Sequence, residues 1–456
     1  MGRMSSNYKR LTAVLMSAIL MIFAAIPAFG QSLIRDTEIE ETLRAYTDPI
    51  LRAANLQSSS VDLFLVNDPS LNAFVTRGQN IFVHTGLILE AETPNQLKGV
   101  LAHEAAHIAS GHLARRDQSN RSAYGSMLIA AGLGLAAILA GEGQAGAAIL
   151  AGSTQFGTLD VLAHSRINEA SADQAAANYL EITGQSGLGL VQFFEKFRYQ
   201  EVLSNARRYP YFRGHPLSSD RIDKLREVTS ESQFANVEDT DEEAFALIMA
   251  KAKLIGFIDA PQTVFSKYPE TDSSKPGRYA RAVAYYRAAD LKNAVKTIDS
   301  LIEEEPENPY FHELKGQILY ESGKGADAIE PMTEAVRLKP EAALLEIALA
   351  QALIEGGTSP QIDQSIDLLK SALRKENTNG FAWYLLSQSY DRKGEPALAR
   401  YAIAEQSFAM GNYQRARSFA QRAQEGLREH KAQSRRASDI IVISGAQLAS
   451  NKNRRR

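Results

Sequence analysis

Apolar and polar positions follow several rhythms along this chain, and each rhythm names an element. An unbroken apolar run covers Leu11 to Ile26, behind Arg3, Lys9 and Arg10. From Ser32 to Ala54, Ile39, Leu43, Tyr46 and Ile50 recur at helical spacing with Glu38, Glu40, Glu41 and Arg44 between them. This predicts an amphipathic helix, with Pro49 as a kink or break. Val61–Val66, Asn72–Thr76 and Asn80–His84 are short, rich in β-branched and aromatic residues, and read as strands of a small antiparallel sheet. Asn67 to Ser70 and Arg77 to Gln79 supply the turns between them. Gly86–Glu92 reads as a short helix. A longer helix opens with Thr93 as N-cap, Pro94 in the first turn and Gln96 closing a capping box. It runs over Gln96–Leu113 on the stripe Leu97, Val100, Leu101 and Ile108, with several alanines favouring helix.

The rhythm then changes. Gly125 to Gly152 is mostly Ala, Gly, Leu and Ile, broken at Gly141 to Gln144, and each half is short for a membrane span. Three readings stand: a buried or cleft-covering hairpin, a surface that touches membrane or an apolar client, and a membrane hairpin. Ser165–Leu180 is an Ala-rich helix. Ser232–Glu243 is acidic and polar and reads as a boundary. Beyond it helix pairs repeat: Ala294 and Ala328, and likewise Pro306 and Pro340, are one tetratricopeptide period apart. Trp383, Leu386 and Tyr390 match the opening of that repeat, with Ser387 where glycine is usual. Tyr279–Pro306, Asn308–Pro340, Ala342–Glu376 and Gly380–Gly411 each read as a helix pair, and Gly411 to Ala416 as the turn of a last one. The end of the chain is basic and reads as a solvated tail.

Chemistry concentrates in three places. His103-Glu104-Ala105-Ala106-His107 sets two histidines one helical turn apart, so both imidazoles reach one metal ion, and Glu104 beside them can take a proton from its water. This is the HExxH pattern of zinc peptidases. A catalytic zinc usually has a third protein ligand, and Glu169, on the Ala-rich helix, is the best supplier. Asp173, one turn on, either holds the free N–H of a ligand histidine or protonates the leaving group. In Arg213 to Arg221, Ser218 or Ser219 can cap a helix through Ile222 and Leu225. His215 there stabilises the transition state, serves as a fourth ligand that closes the site, or is a plain turn residue. Arg221 binds a substrate carbonyl or pairs with a carboxylate. His84, His112 and His164 are weaker candidates; on an ideal helix His112 lies opposite His103. Asn80–His84 is the candidate sheet edge for an extended substrate, or else only a core strand.

Bulk composition narrows the class. The 456 residues suggest two to four domains, and 45% hydrophobic with 23% charged residues is ordinary for a globular chain. A net charge of −3 argues against a nucleic-acid partner. With no cysteine, any metal must be held by histidine and carboxylate. The N-terminal run with Ala28-Phe29-Gly30 after it predicts an export signal cleaved before Gln31, a retained anchor being the competing reading. Export without cysteine fits a bacterial periplasm.

Taken together, HEAAH, NEASAD and GHPLSSDR resemble the gluzincin family of CAAX-prenyl-protease and HtpX-like zinc peptidases, over about residues 35 to 230. With the signal and the repeats, the chain resembles the periplasmic BepA-type members. The resemblance implies a zinc endopeptidase holding one Zn2+ per chain on His103, His107 and Glu169, with Glu104 as general base. It further implies a role in outer-membrane protein quality control, with misfolded or stalled outer-membrane proteins as substrates and a chaperone-like activity. Contact with the assembly machinery would run through the repeats, and peripheral membrane contact through 125–152. The expected fold is mainly α: an α+β zincin domain followed by an all-α tetratricopeptide solenoid. The expected divisions are a signal over 1–30, the peptidase over 31–230, a connector over 231–278, repeats over 279–430 and a basic tail over 431–456. The alternative function is a chaperone or scaffold on a peptidase fold with little turnover.

Overall fold

The computed structural model describes residues 32–76, 79–112, 166–203, 211, 215 and 218–454. The expected signal, the apolar 125–152 stretch and His164 lie outside the described residues. Among the described residues no helix is long and apolar enough to cross a membrane.

The first unit opens with strand β1 (Ser32–Ile34), helix α1 (Thr37–Ala53) and strands β2 (Asp62–Asn67), β3 (Ala73–Thr76) and β4 (Asn80–His84). Helix α1 runs through Pro49 without breaking. The sheet order is β1-β2-β4-β3. This corrects the antiparallel expectation, because β2 and β4 run parallel while the two outer pairs are antiparallel. The reason is local: β3 and β4 form a hairpin, and the chain enters it on the far side, so the returning strand slots beside β2 in the same direction. Asn80–His84 is therefore interior, flanked on both sides, and the edges are β1 and β3. Phe64, Phe82 and Phe74 stack across three strands with centroids 4.9 and 5.0 Å apart, which fixes the register. Leu65, Ile81 and Val83 face the core beneath.

After α2 (Thr85–Glu90) comes α3 (Pro94–Ala109), the motif helix. Thr93 accepts from the Gln96 backbone N–H at 3.2 Å, as expected. Gln96 instead takes the Glu92 N–H at 2.9 Å, one residue beyond a capping box. Helix α4 spans 166–182, followed by α5 (Leu188–Leu203) and α6 (Ser219–Glu231). Gly99 lets α3 and α5 approach closely: a Cβ there would lie 2.7 Å from Leu190 Cβ. One core joins α1, the sheet, α3, α4 and α5 through Leu43, Tyr46, Leu65, Leu101, Leu180 and Phe194.

Helix α7 (Asp241–Ile258) belongs to that same core through Leu247, Ala250 and Leu254. The acidic stretch before it is pinned rather than loose. Asp239 accepts the Asn95 N–H at the start of α3, and buried Lys98 reaches Asp239 at 2.9 Å and Glu243 at 2.6 Å. Carboxylates beside a helix N-terminus are favourable. The residues expected to mark a boundary thus brace the motif helix.

Helix α8 (Pro261–Lys267) leads into antiparallel pairs: α9 (Lys275–Arg287) with α10 (Leu291–Glu304), α11 (Pro309–Glu321) with α12 (Gly325–Leu338), α13 (Ala343–Gly356) with α14 (Ser359–Lys375), and α15 (Gly380–Arg392) with α16 (Pro396–Ala409). Ala294 and Ala328 are fully buried where paired helices touch. Helix α17 (Tyr413–Gln424) and α18 (Lys431–Arg454) follow. The basic stretch expected as a solvated tail is thus a helix. Ala437, Ile440 and Ser444 form a buried stripe at helical spacing, and Arg436 pairs with Glu405 at 2.8 Å.

Helix α1 docks against the first repeats. The Lys253 ammonium, on α7, is buried 2.7 Å from Asp36, 3.3 Å from Glu38 and 3.5 Å from Glu313. Tyr279 donates to Glu38 at 2.7 Å and Tyr310 to Glu41 at 2.6 Å. Arg35 reaches Glu376 at 2.8 Å and Lys339 reaches Glu41 at 2.7 Å.

Candidate metal centre

Helix α3 sets His103 and His107 one turn apart, and its packing against α4 and α5 leaves His103 with no exposed surface. Helix α4 lays Glu169 and Asp173 across from them, also one turn apart and buried. His215 completes the group: one ligand atom from each of His103, His107, Glu169 and His215 lies within 4.8 Å of all the others. His103 Nε2 is 3.1 Å from His107 Nε2, 3.1 Å from His215 Nδ1 and 3.3 Å from Glu169 Oε2. His215 Nδ1 is 3.0 Å from Glu169 Oε2, and His107 Nε2 is 3.5 Å from Glu169 Oε1. Residues far apart in sequence are thus brought to one point.

Asp173 sits behind this group, with Oδ1 3.0 Å from His103 Nδ1. Arg221 clamps the same carboxylate with two bonds, Nε to Oδ2 at 2.7 Å and Nη2 to Oδ1 at 2.9 Å. Of the two readings for Arg221, the described contacts are those of a carboxylate partner. It also lies over the Phe194 ring at 5.6 Å, and Ser218 caps its helix by accepting the Arg221 N–H at 3.3 Å.

Charges in the group are set by burial and by one another. Burial works against a charge on His103, but the Asp173 and Glu169 carboxylates outweigh it and push the imidazole up to about 10. Burial, then the neighbouring His103 and His215, push His107 down to about 2. Burial also opposes the Glu169 charge, yet hydrogen bonds from His103 and His215 hold that carboxyl well below the usual range. Asp173 is likewise lowered, since His103 and Arg221 outweigh its burial. Glu104 goes the other way: burial raises it, and His215 and His103 only partly offset this. Both Glu104 carboxylate oxygens are buried without a hydrogen-bond partner among the described residues. His215 Nε2 lies 3.5 Å from Oε1. A buried carboxylate left so requires a reason.

Sequence reasoning missed two neighbours and misplaced a third. Tyr211 stacks on His215 with centroids 4.6 Å apart and planes 26° apart, and Phe194 lies edge-on to His103 at 6.2 Å. Nothing in the spacing of either residue marks it. His112 is near the centre after all, because α3 ends at Ala109 and Gly111 takes a left-handed φ of +62°. This turns His112 back until its Nδ1 is 3.0 Å from His107 Nδ1. His84 lies elsewhere, at the end of β4, with Nδ1 3.0 Å from Ser70 Oγ.

Two histidines of one helix and a carboxylate from a second that could together hold a metal ion, with an array of helix pairs behind them, are the arrangement of a metallopeptidase joined to tetratricopeptide-like repeats. Residues 34–229 match the model of Peptidase family M48. Across 364 residues the chain is 25% identical to the Beta-barrel assembly-enhancing protease of Escherichia coli (strain K12), a match covering 78% of this chain and 73% of that protein. A putative beta-barrel assembly-enhancing protease of Vibrio cholerae is 26% identical over 398 residues, covering 86% and 80%. Among solved structures, YrrB, a TPR protein with an unusual peptide-binding site, superposes with a TM-score of 0.32 at 16% identity, covering 37% of this chain and 88% of its own. That superposition is too loose to carry weight.

Proposed function

We propose that the chain is a zinc endopeptidase of the periplasm that acts in outer-membrane protein quality control. The observation that carries this reading is the buried Glu104 carboxylate, without a hydrogen-bond partner among the described residues, beside the converging donors of His103, His107 and Glu169. Imidazole and carboxylate donors without thiolate suit zinc. When bound, zinc supplies Lewis acidity to the scissile carbonyl and to the attacking water.

The remaining work falls to the chain. Glu104, raised by burial, takes the proton from the water and passes it to the leaving amine. Asp173 holds the Nδ1 side of His103 and is itself held by Arg221, so the imidazole presents Nε2 to the metal. These contacts support the orienting role for Asp173 over proton donation. Strand β3, a sheet edge that packs beside α3, is placed to receive an extended substrate as an added strand. The repeats recruit client proteins. The names of the relatives in E. coli and V. cholerae support the outer-membrane role.

A second reading, a chaperone or scaffold with little turnover, is favoured by one observation. His215 Nδ1 stands among the donor atoms, where it would serve as a fourth ligand and leave no open position until it gives way. The test is zinc content and casein cleavage of the mature protein, wild type against Glu104→Gln. Zinc in both with cleavage lost only in the variant is expected. Zinc without cleavage in the wild type favours the closed-site reading and makes His215→Ala the next variant. Absence of zinc from both sinks the metal reading.

A further inference from the structure

We propose that His112 is a positioning residue for the metal centre, accepting the Nδ1–H of His107 and so fixing that ligand in its metal-binding tautomer. The inference rests on the zinc reading above and assigns one more residue to the same site.

The argument starts from what ligation requires. A neutral imidazole that offers Nε2 to a metal carries its proton on Nδ1, and a buried N–H needs an acceptor. For His103 the carboxylate on that side is Asp173, whose Oδ1 lies 3.0 Å from Nδ1. His107 has no carboxylate on that side among the contacts described; the atom facing its Nδ1 is His112 Nδ1, at 3.0 Å. The two rings meet at 72° with centroids 4.9 Å apart, and His112 is only 5% exposed. Ligation through His107 Nε2 therefore sets the direction of this bond: His107 donates, His112 accepts, and the proton of His112 sits on its Nε2.

The backbone is built to deliver this contact. A continuing helix would carry His112 to the far face, and the left-handed Gly111 brings it back. A Cβ at Gly111 would meet nothing within 4 Å among the described residues, and its left-handed φ suits glycine at this turn. The two ligand histidines are thus held by unlike acceptors. His103 faces the Asp173 carboxylate; His107 faces a second imidazole.

The experiment measures zinc affinity of the full mature chain by competition with a chromogenic chelator, together with melting of the metal-free protein. His112→Asn places an acceptor oxygen near the position of Nδ1, whereas His112→Leu fills the space without one. Leucine is expected to weaken zinc binding about 10–100-fold, as loss of an outer-shell partner does. Asparagine should stay close to wild type, and all three metal-free proteins should melt alike. Wild-type affinity in His112→Leu overturns the proposal. So does an equal loss in both variants, because shape and not the acceptor would then matter. If leucine prevents folding, His112→Ala removes the acceptor without adding bulk and is read the same way. A wild type that binds no zinc marks failure of the metal reading itself, a result separate from either outcome for His112.

Discussion

Replacing Lys253 by methionine tests the seam between peptidase and repeats. The lysine side chain is 3% exposed and faces Asp36 and Glu38 at the start of α1 and Glu313 on α11. Burial opposes its charge, but the surrounding acids outweigh it and hold the ammonium well above the ordinary lysine range. Its stabilising effect is therefore present at all pH values below that of a free lysine. Methionine keeps most of the stem and removes the charge, leaving three carboxylates without their shared cation. Breaking a buried pair in this way costs about 3–5 kcal/mol. Because the partners come from both units, the loss falls on the junction. The assay is urea unfolding of the mature chain, followed by far-UV ellipticity and by fluorescence of Trp383, the single tryptophan, on repeat helix α15. In the wild type the two transitions should coincide. In Lys253→Met the midpoint should fall and the tryptophan transition should separate from the rest. Adding Glu38→Gln should restore part of the loss, since touching residues couple by about 0.5–3 kcal/mol. A variant that unfolds within about 0.5 kcal/mol of wild type, with coincident curves, refutes the reasoning.

Other outcomes follow from the same groups. Burial pushes Glu313 up to about 7 despite Lys253, so between the free-carboxyl range and pH 7 the folded chain binds more protons than the unfolded one. Stability should fall as pH rises through that window, by up to about 3 kcal/mol, and Glu313→Gln should flatten the slope in melts from pH 5 to 8. Arg221→Gln removes the clamp on Asp173; zinc affinity should drop about 10–100-fold, measured by chelator competition, and an unchanged affinity would count against the orienting chain from Arg221 to His103.

What could be read from the sequence was what depends on short spacing. His103 and His107 share a face because helix geometry relates residues four apart, and Glu169 with Asp173 obeys the same rule. The pairing of these two helices required one chemical premise, a third ligand. His112 was misjudged because the same rule was carried past Ala109, where the helix ends and left-handed Gly111 turns the chain. The sheet order could not be seen, since the swap that seats β4 beside β2 depends on which side the chain enters the hairpin. Nor could Lys253: in a run of alternating Ala and Lys it reads as a solvated charge, and only the arrival of α1 and α11 buries it. The acidic stretch before α7 misled for a related reason, because Asp239 and Glu243 are neutralised by Lys98, more than a hundred residues earlier.

The sharing of α7 between the peptidase core and the repeats bears on how a client would be cut. Tandem domains usually meet through a pliable linker, and a tethered catalytic unit then samples its substrate over a wide radius. Here Leu247, Ala250 and Leu254 are locked into one unit while Met249, on the same helix, packs with Tyr279, Val283 and Phe311 of the other. The span from grip to blade is then part of the fold. A client seated on the repeats would be trimmed at a set reach from its anchor, as by a ruler, and the lengths of the released fragments would carry that signature more than the residues at the cut.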